Sequence, residues 1–138
     1  MEETQEIFHN FTPEMKKYLF IGERRSNKAI RMNVRWENGR LAAKQLFDCM
    51  EIAGINIQNH RFMNLFEPLL QQGILMKNYK LWIIACQLNG YKLVGMGNKV
   101  SKKLTEMGIS HIKIVHPAAR GKIRNKFNYS NHLKEKLL

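Results

Sequence analysis

The chain has 138 residues, 44% of them apolar, 9% aromatic and 25% charged, which supports one hydrophobic core and excludes both a disordered tail and two full domains. Lys and Arg exceed Asp and Glu by 23 to 11, a net +12, and the surplus is concentrated: residues 24–44 carry +6 and residues 97–138 carry +8. No apolar run reaches the ~18 residues of a membrane span, and the acidic start lacks the basic-then-apolar plan of a secretory signal, so a cytoplasmic protein is expected.

Residues 1–15 are assigned to a peripheral N-terminal segment of a single domain spanning 1–138. Tyr18 to Gly22 is a short apolar run ended by glycine, the pattern of a buried strand entering a loop. Glu23 to Asn38 is polar, basic and aperiodic, and is expected to be a long loop of the kind that carries function. From Gly39 to Ala53 the residues Leu41, Ala42, Leu46, Met50 and Ala53 recur at helical spacing, with Gly54 placed to end the helix. Arg61 to Phe66 is predicted as a second strand, followed by a short helix opened by Pro68 and closed by Gly73. Residues 78–88 suit a buried strand or a helix; Leu81, Ile84, Ala85 and Leu88 share one helical face, so helix is preferred. Tyr91 to Met96 is a third strand, Lys99 to Met107 a helix capped by Asn98 and stopped by Gly108, His111 to Val115 a fourth strand, and Ser130 begins a basic terminal helix.

Strands alternating with helices imply an α/β domain with three α/β/α layers around a mainly parallel four-stranded sheet, and place a ligand at the carboxyl ends of the strands. Two basic segments folded onto one face would suit a phosphate backbone, so nucleic acid is the first partner to expect. Cys49 and Cys86 stand apart in apolar surroundings, and the histidines lack ligand spacing. No metal and no other cofactor are expected.

Four stretches at strand ends carry chemistry: Gly22-Glu23-Arg24-Arg25-Ser26, Asn64-Leu65-Phe66-Glu67, Leu93-Val94-Gly95-Met96-Gly97-Asn98 and His116-Pro117-Ala118-Ala119-Arg120. In this order and spacing they resemble the uracil-DNA glycosylase superfamily, in particular its short branches without iron-sulfur cysteines, over about residues 18–138. Gly22-Glu23 is similar to the opening of the family's first motif, with Arg24 and Arg25 where small residues are usual. Asn64 matches the asparagine that reads the pyrimidine edge, and His116-Pro117 matches the pair that opens the loop entering the duplex.

The resemblance implies a protein that binds single- or double-stranded DNA as a monomer and hydrolyses the N-glycosidic bond of a flipped uracil or related pyrimidine. Extruding a base costs a few kcal/mol and needs a pocket to hold it. The Asn64 amide, one donor beside one acceptor, matches O4 and N3–H of uracil. His116 would donate to the O2 that gains negative charge, and Glu23 would stabilise the positive sugar and orient water. Gly22 and Trp36 complete the base site. The DNA contacts fall to Arg24, Arg25 and Ser26, to Asn98 and Lys99, to Pro117, Ala118 and Ala119 at the loop tip, and to Arg120, Lys122 and Arg124 beyond it. Two other readings stay open: a binding module on the same fold without turnover, and an enzyme acting on free nucleosides or nucleotides.

Overall fold

A computed structural model of the chain describes residues 16–76 and 78–138. The segment 1–15 lies outside the described residues. Four parallel strands form the sheet in the order β2-β1-β3-β4, with β1 at Lys17–Gly22, β2 at Arg61–Asn64, β3 at Tyr91–Met96 and β4 at Ile112–Ile114. β1 is central because it is apolar on both faces: Leu19, Phe20 and Ile21 are 0% exposed. Burying each such side chain stabilises the fold by about 1.5–3 kcal/mol.

Alternation along β1 divides the core in two. Tyr18 and Phe20 face a cluster completed by Leu46, Cys49 and Met50 of α2 (Ala42–Ile52) and by Tyr129, Leu133 and Leu137 of α5 (Lys126–Leu137). Leu19 and Ile21 face Ile83 and Cys86 of α3 (Tyr79–Leu88) and Val100 and Leu104 of α4 (Asn98–Glu106). The result is the three-layer arrangement that the alternating pattern implies. Since β2 lies on one side of β1 and β3 on the other, the chain reverses direction across the sheet beside β1, the position at which sheets of this kind leave a crevice beyond the strand ends.

Several boundaries differ from the sequence reading. The stretch 23–38 is no continuous loop: Ser26 Oγ accepts from the Ala29 N–H at 3.1 Å and starts a short helix, α1 (Asn27–Met32), and a single 3-10 turn follows at Trp36–Asn38. With one buried residue, Ala29, α1 lacks an apolar period for the sequence to display. α2 starts at Ala42 rather than Gly39 because Gly39 and Leu41 both take positive φ, 65° and 58°. β2 stops at Asn64, although the N–H groups of Leu65 and Phe66 still reach Gly22 and Glu23 carbonyls at 2.8 and 2.9 Å. β4 omits His111 and Val115, and the Val115 N–H is taken by His132 Nε2 at 2.9 Å. Asn98 is inside α4 and caps nothing, since Gly97 at φ 94° turns the chain into the helix. α5 begins at Lys126, four residues before Ser130, because Asn125 Oδ1 accepts from the Phe127 and Asn128 N–H groups at 2.9 and 3.2 Å. Residues 79–88 are helical, with Asn78 as cap.

Candidate functional site

Gly22 and Asn64 are register partners at the ends of β1 and β2, so parallel pairing alone brings the first two motifs side by side. Asn64 is 5% exposed, and its carboxamide is held from both ends. The Trp36 indole Nε1–H donates to Asn64 Oδ1 at 2.8 Å, and Asn64 Nδ2 donates to Glu67 Oε1 at 3.0 Å. Glu67, 7% exposed, also accepts from the Arg25 backbone N–H at 2.5 Å and from Arg25 Nε at 3.2 Å. The Gln72 carboxamide clasps the backbone beneath, accepting from Asn64 N–H at 2.5 Å and donating to the Asn64 and Glu67 carbonyls at 2.8 and 3.0 Å. Gly22 makes this possible: a Cβ there would stand 2.7 Å from Asn64 Oδ1 and 3.0 Å from Trp36 Cζ2.

Trp36 stacks on Phe62 at a centroid distance of 6.3 Å and 13° between planes, and Phe62 stacks on Phe20, which ties the indole to the sheet. His116 approaches the same indole at 6.0 Å. The strand end before it is held by α5, through the Tyr129 hydroxyl donating to the Val115 carbonyl at 2.6 Å and the Val115 N–H donating to His132 Nε2 at 2.9 Å. His116 Nδ1 accepts from the Ala118 N–H at 3.0 Å. A ring nitrogen that accepts carries no proton, so the neutral imidazole has its hydrogen on Nε2. Burial pushes the His116 pKa below its ordinary value, opposed in part by the Glu23 carboxylate.

Trp36, Asn64 and His116 line one cavity of about 270 Å³, near the lower end of small-molecule sites, about 300 Å³. Its buried walls include Ala29, Val34 and Ala43, and its mouth carries the exposed Arg24, Lys28, Arg35 and Arg40. Arg25 lines it too, turned onto Glu67; among the described residues no carboxylate pairs with Arg24, Lys28, Arg35 or Arg40. Leu41 lines the cavity at φ 58° and ψ −127°, a backbone state that side chains rarely adopt and one that concentrates at binding sites.

Of the residues singled out in the sequence, Arg24, Arg25, Ser26, Trp36, Asn64, His116 and Ala118 therefore meet at one place, and Gly22 lies directly behind them. Others fall elsewhere. Glu23 is absent from the cavity wall and pairs with Lys99 at 3.4 Å. At the cavity itself, Ser26 is engaged as a helix cap, and half-buried Arg25, with 16% of its side chain exposed, is engaged by Glu67. Pro117 is buried, so it belongs to the packing of the loop and not to its tip. Asn98, Lys99, Arg120, Lys122 and Arg124 are exposed outside the cavity, and Ala119 is half-buried. Glu67 is the residue whose weight the sequence reading missed. Its only signal is an Asn-x-x-Glu spacing after a strand end, which does not say which groups a carboxylate will meet.

Comparison with family models, with curated proteins and with solved structures finds no match to this chain. The described residues contain no group of three or more His, Cys, Asp or Glu side chains able to hold a metal ion, and no helix long and apolar enough to cross a membrane.

Proposed function

We propose that this protein binds DNA, takes one extruded uracil or related pyrimidine into the cavity, and hydrolyses its N-glycosidic bond. The observation that carries the reading is the convergence of Asn64, Trp36 and His116 on one apolar-walled cavity whose mouth is cationic. Each part suits a step. The cations at the mouth attract phosphates, the apolar walls and indole accept a base taken out of its stack, and Asn64 offers one remaining donor and one remaining acceptor to its edge. As the bond from C1′ to the base nitrogen breaks, its electron pair moves onto the base, and the Nε2–H of neutral His116 meets the charge growing on O2. Water then adds its hydroxyl to C1′, and its proton ends on the departing base.

A second reading, binding without turnover, is favoured by one observation. Glu23, the carboxylate assigned to the sugar, is paired with Lys99 away from the cavity wall. Base release from single-stranded and duplex uracil DNA, measured as abasic sites beside free deoxyuridine and its monophosphate, separates these readings. Release from DNA, reduced at least about 100-fold in His116→Ala with DNA affinity nearly unchanged, is the expected result. Salt-sensitive binding without release supports the binding module, and release from monomers alone supports an enzyme of free nucleotides.

A further inference from the structure

Asn64 is the group offered to the base, and an amide that can turn over does not discriminate: rotation by 180° exchanges its donor for its acceptor. Uracil presents an acceptor at O4 and a donor at N3–H; cytosine presents a donor at N4 and an acceptor at N3. The polarity of the Asn64 edge therefore decides which of them is accepted. Two neighbours of single polarity grip that amide. The indole Nε1–H of Trp36 can only donate, and it meets Oδ1 at 2.8 Å. The Glu67 carboxylate, which takes two N–H groups of Arg25, can only accept, and it meets Nδ2 at 3.0 Å. In a flipped amide Nδ2 would face the indole N–H and Oδ1 would face the carboxylate. Both contacts would become repulsive, at an amide and a carboxylate that are both buried.

We propose that Glu67, with Trp36, is the positioning pair that fixes the Asn64 amide and thereby sets the preference for a uracil-type edge over a cytosine-type edge. The inference rests on the pyrimidine-binding reading and adds a residue that never touches the base. Arg25 belongs to the same device: by holding Glu67 it keeps the carboxylate turned toward Asn64, which is why this guanidinium is withdrawn from the cations at the cavity mouth.

The test is a ratio of affinities. Oligodeoxyadenylate carrying one central 2′-fluoro-deoxyuridine or one central 2′-fluoro-deoxycytidine, both resistant to cleavage, is titrated into the wild-type protein and into Trp36→Phe, Glu67→Gln and the double variant. The wild type is expected to favour the uracil probe by about 10- to 100-fold, the size of one mispaired buried hydrogen bond. Each single variant should show a smaller ratio, and the double variant, in which nothing of single polarity faces the amide, a ratio near one. A purely structural loosening would weaken both probes alike and leave the ratio fixed. A double variant that keeps the wild-type ratio overturns the positioning role alone. A wild type that binds neither probe better than plain oligodeoxyadenylate overturns the pyrimidine reading with it. If the double variant fails to fold, the isosteric Glu67→Gln decides: an unchanged ratio there overturns the proposal.

Discussion

At position 22 a hydrogen atom instead of a methyl group separates a working hydrogen-bond network from a broken one. Gly22→Ala would drive a Cβ to 2.7 Å from Asn64 Oδ1, and that oxygen is no loose end, because the amide is tied to both Trp36 and Glu67. The variant should lose about 1–3 kcal/mol of stability, the cost of leaving buried partners unpaired. It should also change the Trp36 fluorescence. Denaturant melts and indole emission check both; a melt identical to the wild type would show that the network yields without cost. Asn64 and His116 entered the sequence reading through their resemblance to family motifs at strand ends, and the structure brings both to one cavity. Glu67 and the inward turn of Arg25 were not legible there, because a charged side chain acquires its partner only through packing.

At the scale of the element, two caps of similar chemistry should have different consequences. Ser26 caps α1, which has one buried residue, whereas Asn125 caps α5, whose Tyr129, Ser130, Leu133 and Leu137 are all buried. Removing either side-chain cap costs its helix about 1 kcal/mol. Asn125→Ala should therefore lower global stability by about that amount in a melt. Ser26→Ala should leave the melt within about 0.5 kcal/mol and instead speed hydrogen exchange in α1, because a weakly anchored helix opens locally. Equal effects in both assays would show that α1 is integral to the core. Since α1 lines the cavity through Lys28 and Ala29, its local stability sets how firmly that wall is held. The strongly periodic α2 was legible within three residues; α1 and the first turn of α5 were hidden because few of their residues are apolar and inward-facing.

Across the molecule, three histidines tie stability to pH in one direction. His60 Nδ1 accepts from the Tyr18 N–H at 3.0 Å, His116 Nδ1 from Ala118 and His132 Nε2 from Val115. Burial is the main cause that holds all three below the ordinary value of 6.5. The folded state thus resists a proton that the unfolded chain accepts. Their contribution to stability is present in full above about pH 6.5 and is lost as the pH falls toward the depressed folded values. Melting temperatures from about pH 8 to about pH 5 should be level at the alkaline end and decline below neutrality. A rise on acidification would contradict neutral, half-buried rings. Acidification should also convert His116 into a cation and remove its acceptor for Ala118, distorting the loop beside the cavity.

The layered α/β/α architecture is already implicit in the order of residues, because apolar runs alternating with amphipathic ones leave a parallel sheet covered on both faces as the economical way to bury them. That order also pointed to the strand ends as the place for a cavity, since polar groups there need not enter the core. Which basic residues share a cavity and which lie outside it follows from the folded arrangement alone. That arrangement likewise decided that Glu23 turns to Lys99, and that the Asn64 amide is gripped by an indole on one side and a carboxylate on the other. These outcomes depend on distances between segments far apart in the chain. A local pattern of residue types carries the propensity for a strand or a helix, while the partner of a buried polar group is chosen by whichever neighbour the finished fold brings within about 3 Å.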